Sequence, residues 1–163
     1  MANIFHDTVI IGPLADIELS SRGTDTIVGK NCRIDNFVKI KHVGGEGHVR
    51  IGNNVYLNSG TVIYSGNGVS IGNDVLIGPN CSLVPTNHNF HDLNIPIRLQ
   101  GFLESRGGII IEDNVWIGAG VTILDGTIIR RGCVIGANSL VKGEIPENSI
   151  YAGSPVKLIK KRK

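Results

Sequence analysis

IEDNVW (111–116), IGAGVT (117–122), ILDGTI (123–128), IRRGCV (129–134), IGANSL (135–140) and VKGEIP (141–146) follow one another without a gap. From Ile111 to Pro146 the chain therefore repeats every six residues, and each hexad opens with Ile or Val. The fifth positions are Val115, Val121, Thr127, Cys133, Ser139 and Ile145, mostly small or β-branched. The same register reaches back through Ile51, Leu57, Ile63, Ile71, Ile77 and Leu83, with an extra pair at Val69 and Ser70. Only 50 of the 163 residues are Ile, Leu or Val, yet all twelve opening positions are, so the pattern is not chance. A short fixed period marks a solenoid, in which each unit buries its apolar face against the next. Three hexads make 18 residues, and Ile111 with Ile129, Ile117 with Ile135 and Ile123 with Val141 recur at that spacing. Three short strands with Gly, Asn and Asp corners then close one triangular coil, and coils stack as parallel strands about 4.8 Å apart. The expected fold is all-β, a parallel β-helix.

Bulk properties agree with one domain of this kind. An apolar content of 41% supplies a core along the axis, 22 glycines suit a fold made of corners, and 5% aromatics suit an axis too narrow for large rings. No apolar run reaches the roughly 18 residues of a membrane span, and MANIFHDT lacks the features of a signal peptide, so the cytoplasm is the expected location. Cys32, Cys81 and Cys133 all fall on fifth positions when Val28 opens a hexad, which makes them buried small hydrophobes and not nucleophiles or metal ligands. The net charge of +2 hides an asymmetry. Lys157, Lys160, Lys161, Arg162 and Lys163 form a basic end, while the rest carries 11 basic against 14 acidic residues.

Residues 1–27 read as a loosely repetitive capping coil in which SSRGTDT breaks the pattern. Residues 28–88 and 111–155 form the solenoid, interrupted by KHVGGEGH, whose glycine pairs mark a corner loop with exposed His42 and His48. Residues 89–110, NFHDLNIPIRLQGFLESRGGII, are an inserted loop too apolar for disorder, so it is expected to pack on something, most simply a neighbouring subunit. At the other end AGSPVK can be placed as a last hexad, and the basic tail at 156–163 can cover the open edge as a strand or helix.

The solenoid, the histidine before the long loop in PTNHNFHD, the later EDNVWIGAG and the terminal IPENSIYAGSPVK together resemble the acetyl-CoA-dependent hexapeptide-repeat acetyltransferases. The resemblance runs over about residues 49–160. Its branch is similar to the sugar O-acetyltransferases, maltose and galactoside acetyltransferase-like enzymes and those of surface-polysaccharide synthesis. It implies a left-handed β-helix with a short C-terminal cap, a homotrimer, and acetyl-CoA as co-substrate with no metal. The implied reaction moves an acetyl group onto a hydroxyl or amino group of a sugar or nucleotide-linked sugar by direct attack.

The resemblance also assigns residues. His88 takes the position of the general base, which makes chemical sense because a sugar hydroxyl is too weak an acid to attack a thioester unaided. His91, three residues on, is the rival. Ala119 in WIGAG and Ala137 in IGANS match positions where backbone holds the pantetheine arm, and a free amide there can also support the thioester oxyanion. Trp116 matches a tryptophan beside the groove, although its outward sixth position equally suits subunit packing. Lys157 and Lys160 match basic residues for the CoA phosphates, as point charges where the family often has arginine. The Thr-Lys pair frequent in the family is replaced by Lys142-Gly143, which moves that charge by one residue. For the acceptor, Asn58 matches an asparagine on the coil before the base, and Asn87 and Asp92 flank His88; all three also read as ordinary corner or turn residues.

Other readings compete. An amine acceptor on a nucleotide sugar would use the same base. A γ-type carbonic anhydrase shares the solenoid but needs three converging histidines, here His88, His91 and a partner such as His48. A non-catalytic scaffold has no need of His88. Nucleic-acid binding is disfavoured because the basic residues cluster at one end without interleaved aromatics.

Overall fold

In the computed structural model, which describes residues 3–163, three parallel sheets form the faces of a triangular left-handed β-helix. Met1 and Ala2, counted above in the capping coil, lie outside the described residues. The first face stacks Ile4–Phe5, Thr26–Val28, Val49–Ile51, Val69–Ile71, Ile109–Ile111, Thr127–Ile129 and Glu144–Ile145. The second stacks Ile10–Ile11, Arg33–Ile34, Tyr56–Leu57, Leu76–Ile77, Trp116–Ile117, Val134–Ile135 and Ser149–Gly153, and Val156–Lys161 closes it. The third stacks Asp16–Ile17, Lys39–Lys41, Val62–Tyr64, Ser82–Val84, Thr122–Leu124 and Leu140–Val141.

Hexad positions decide burial. Openers pair with openers, Ile51 with Ile71, Ile71 with Ile111 and Ile111 with Ile129, and all twelve are at most 4% exposed. Fifth positions point inward beside them, among them Cys32, Val55, Val75, Cys81, Val115, Val121 and Cys133. Among the described residues no aromatic ring is fully buried in this core. The three thiols donate to backbone carbonyls of Gly52, Gly118 and Pro146, and burial raises the pKa of Cys32 and Cys81, as expected of packing residues.

Fourth positions turn the corners. Asn31, Asn54, Asp74, Asn80, Asn114 and Asn138 hold left-handed backbone with φ of 55 to 57°. Short polar side chains tolerate that region, whereas a β-branched residue does not. Corner side chains also bond from coil to coil: the Asn73 Oδ1 accepts the Asn53 N–H at 2.8 Å and the Asp113 Oδ1 accepts the Asn73 N–H at 2.7 Å.

Four local readings change. The N-terminal segment is a fuller coil than its sequence suggested, since Phe5 pairs with Val28, Ile11 with Ile34 and Ile17 with Ile40. The inserted loop ends earlier than residue 110, because Ile109 and Ile110 already pair with Val69 and Ser70. His42 is not an exposed loop residue: it is 3% exposed, with Nδ1 2.7 Å from the Thr24 hydroxyl and Nε2 3.1 Å from that of Thr26. The alternation of face three carries this side chain inward, which the glycines after it conceal.

The C-terminal register also differs. Ile145 pairs with Ile129 and so occupies an opening position, and the true hexad is Ile145-Pro-Glu-Asn-Ser-Ile150 with Asn148 left-handed at φ 52°. The corner at Lys142 and Gly143 is two residues short, with Gly143 at φ 76°. AGSPVK is consequently no hexad. Ser149–Gly153 and Val156–Lys161 form an antiparallel hairpin that covers the last edge as a strand.

Candidate active site

His88 stands on the third corner, where the chain leaves the strand Ser82–Val84 for the inserted loop. The neck of that loop is a short ribbon: the Asn89 N–H donates to Gly101 O (2.9 Å), the Leu103 N–H donates to Asn87 O (2.8 Å), and His88 bridges Phe102. The Phe102 ring lies 4.7 Å from the imidazole, tilted by 32°. One face of His88 is therefore fixed by packing. Its ring is exposed, and neither nitrogen makes a hydrogen bond among the described residues, so both remain open to a substrate.

The return of the loop is pinned by Asp125, only 5% exposed. Its carboxylate accepts the N–H groups of Arg106 (2.8 Å) and Gly108 (2.9 Å) and the Asn67 amide (3.2 Å). Between neck and anchor the tip is stitched by Gln100, whose amide donates to the carbonyls of Asp92 and Ile95, and by the short 3₁₀ turn Ile97–Leu99. Phe90, Leu93, Ile95, Ile97 and Leu99 are nevertheless exposed, Leu93 at 97%. Phe102 packs on His88, but these five apolar side chains of the loop tip find little cover among the described residues.

The positions matched for the donor lie elsewhere. Ala119 and Ala137 are exposed on the second corner, one coil apart, and the N–H of each has no acceptor among the described residues. The coils approach so closely there that a Cβ on Gly118 would sit 2.6 Å from the Ala137 nitrogen. Trp116 is 55% exposed on the second face, between Leu76 and Val134. Lys157 and Lys160 fall on the closing hairpin, opposite Ala152 and Ile150. Lys160 and Lys163 line a basic cavity of about 550 Å³ with Lys161 and Arg162, but the last two are tied to Glu147 O and Gly132 O.

Some of the matched residues are not brought together. Lys142 follows Leu140–Val141 and so shares the third corner with His88, apart from Ala119 and Ala137. Asn58 follows Tyr56–Leu57 on the second corner, away from His88 in the same chain, with its amide donating to Ile77 O at 2.8 Å. Asn87 and Asp92 do flank His88 along the chain, with Asn87 half-buried in the neck and the Asp92 carboxylate accepting the Asn94 N–H as a turn. His48, His88 and His91 do not converge; among the described residues no group of three His, Cys, Asp or Glu side chains is placed to hold a metal. Sequence reasoning missed Phe102 and Asp125. Nothing marks Asp125 in ILDGTI beyond an ordinary turn Asp-Gly.

Two repeat descriptions match the chain: "Bacterial transferase hexapeptide (six repeats)" over residues 108–143 and "Hexapeptide repeat of succinyl-transferase" over residues 68–87. The galactoside O-acetyltransferase of Lactococcus lactis is 32% identical over 156 residues, covering 93% of this chain and 70% of that protein. Three further curated relatives, from Mycobacterium tuberculosis, Saccharomyces cerevisiae and Escherichia coli, are 38%, 43% and 53% identical over the matched stretch, but the chain spans only 38%, 56% and 34% of their length. Among solved structures, AntD, an N-acyltransferase from Bacillus cereus in complex with dTDP-4-amino-4,6-dideoxyglucose and coenzyme A, superposes with a TM-score of 0.81 at 26% identity, over 99% of this chain and 84% of that one. The polySia-specific acetyltransferase NeuO superposes at 0.79 and 25% identity, over 98% and 65%.

Proposed function

From the premise that this chain belongs to the hexapeptide-repeat sugar acetyltransferases, we propose that it transfers an acetyl group from acetyl-CoA to a hydroxyl or amine of a sugar or nucleotide-linked sugar, in surface-polysaccharide synthesis, a role supported by the likeness to the "Putative lipopolysaccharide biosynthesis O-acetyl transferase WbbJ" of Escherichia coli. The observation that carries this reading is the pair of unsatisfied groups at two corners. His88 offers free imidazole nitrogens at one, and Ala119 and Ala137 offer free backbone amides at the other. Since one chain does not bring them together, the complete site lies between neighbouring subunits, with the His88 loop of one against the second corner of the next. The exposed apolar loop supports such an assembly, and the family resemblance points to a trimer.

In this mechanism an imidazole nitrogen of His88 takes the proton of the acceptor as its oxygen or nitrogen attacks the thioester carbon. The tetrahedral oxyanion is held by an amide on the Ala119 corner, and its collapse expels the CoA thiolate, which takes the proton back from His88. Phe102 keeps the imidazole in place, while Lys157 and Lys160 hold the phosphate end of CoA. Trp116 lies along the same face as the pantetheine arm.

An amine acceptor on a nucleotide sugar is the second reading, supported by the amino sugar nucleotide bound to AntD. Turnover with acetyl-CoA against sugar hydroxyl and amino-sugar acceptors tests both. His88→Ala is expected to lower kcat by about 10²- to 10⁴-fold with the Kd for acetyl-CoA unchanged. An unchanged kcat removes His88 from the chemistry, and no binding of acetyl-CoA at millimolar concentration overturns the reading as a whole.

A further inference from the structure

We propose that the second face and the corner that follows it, at residues 33–38 and 56–61, form an acceptor subsite in which Arg33 holds an oxyanion, so that the acceptor sugar carries a phosphate or a carboxylate. This rests on the acetyl-transfer reading above. The outward ladder of the second face runs Ile10, Arg33, Tyr56, Leu76, Trp116, Val134. Arg33 is the one charged side chain in that run. Its guanidinium sits over the Tyr56 ring, 5.5 Å from the centroid. The nearest carboxylate, on Asp35, is 3.9 Å away, too far for a hydrogen bond, and its other oxygen takes the Ser59 hydroxyl at 3.1 Å. None of the guanidinium N–H groups makes a hydrogen bond among the described residues. The fork is oriented by an aromatic ring and by a loose ion pair with Asp35, and its hydrogen-bond donors have no acceptor among the described residues.

A second observation stands beside it. Phe37 occupies a fourth position on the second corner with φ 63°, where later coils carry Gly60, Asn80, Gly120 and Asn138. A bulky residue is strained in that region, and Phe37 gains nothing from the core because it is 64% exposed. Strain of this kind persists at ligand clamps. An exposed ring next to a polar corner, Asp35, Asn36 and Asn58, suits the apolar face of a sugar or the plane of a base.

Coil spacing sets the size of the ligand. At about 4.8 Å per coil, Arg33 is about 5 Å from the coil of Asn58 and about 14 Å from that of Trp116. With the thioester at the Ala119 corner, in the coil of Trp116, the span of about 14 Å to the Arg33 backbone is filled by a pyranose ring together with the length of the arginine side chain. The oxyanion is then a substituent one unit removed from the acetylated group, either the diphosphate of a nucleotide-linked sugar or the carboxylate of an acidic sugar. A guanidinium fork binds either in a bidentate manner.

The test uses the full-length oligomer and three probes, UDP-N-acetylglucosamine, N-acetylneuraminate and methyl galactoside, followed by the fluorescence of Trp116 and, where turnover occurs, by KM. One anionic probe is expected to bind more tightly than the neutral one, and which of the two does so identifies the source of the oxyanion. Arg33→Gln should weaken that probe about 10- to 100-fold, with Arg33→Lys intermediate, no change for methyl galactoside, and unaltered oligomer mass. Phe37→Asn should weaken it too while raising Tm. Equal binding of neutral and anionic probes, no binding of either anion, or an Arg33→Gln variant indistinguishable from wild type overturns the subsite. Loss of acetyl-CoA binding in the wild-type protein would instead overturn the reaction, so the two failures are separable.

Discussion

At position 37 local preference and observed backbone disagree, and the disagreement is measurable. Releasing Phe37 from φ 63° by Phe37→Asn should stabilise the fold by about 1 kcal/mol, the usual cost of a left-handed bulky residue. For a chain of this size that is a rise in Tm of about 2–4 °C, read by calorimetry. His42 makes the opposite kind of statement. Burial holds its pKa below the usual histidine value against the raising influence of Glu18 and Asp25, with His48 adding to the lowering. The folded state therefore prefers neutral imidazole, and the unfolded chain takes up the proton first as pH falls. Stability from this site is fully present above the unfolded pKa of about 6.5 and is lost as pH falls from there towards the depressed folded value. His42→Gln, which keeps a polar side chain between Thr24 and Thr26, should flatten the slope of Tm between pH 7 and 5. An unchanged slope would assign the acid sensitivity to other groups.

Among the elements, the inserted loop depends on very few contacts for its position. Its neck has two backbone hydrogen bonds and its return has the Asp125 carboxylate, while its apolar side chains lie outside the core. Asp125→Ala leaves two N–H groups and an amide without their acceptor, which costs about 2–3 kcal/mol. The predicted signature is faster hydrogen exchange and proteolytic cutting across 89–108, with the strands at 109–111 and 127–129 still protected. Uniform exchange through the solenoid would show that the loop is held by something else. The coils themselves are less delicate locally, because Ile117→Ala removes one opener from a continuous axis and should cost about 2–5 kcal/mol without changing the register.

For the whole molecule, the decisive expectation concerns sharing of the site. His88→Ala and Ala119→Trp variants, each inactive alone, should regain activity when unfolded and reassembled together, because a mixed interface can combine an intact His88 with an intact second corner. Random mixing restores about a quarter of the sites of a ring in which each site takes one corner from each neighbour. No recovery at any mixing ratio would place both functions in one chain. Mutating the loop tip by Leu93→Asp together with Ile97→Asp should reduce the oligomer mass in light scattering, since those side chains have no other apolar cover.

By itself the sequence determined the coil. Six-residue spacing of Ile, Leu and Val sends the same positions inward in every turn, so the faces, the buried cysteines and the outward Trp116 follow from period alone. The period also placed His88 where the register stops, whereas its role as a base is what the family resemblance implies and the His88→Ala experiment tests. Tertiary structure decided what period cannot encode. The short corner at Lys142 re-registers the last coil, because two residues fewer still close a turn when Gly143 takes a positive φ. His42 is carried inward by the pleat of face three. Asp125 and Phe102 act on residues far along the chain, and Lys142 and Asn58 fall on corners that only the stacking order assigns. A repeat fixes which way a side chain points, whereas which corner it shares, and with what neighbour, depends on the length of every loop between.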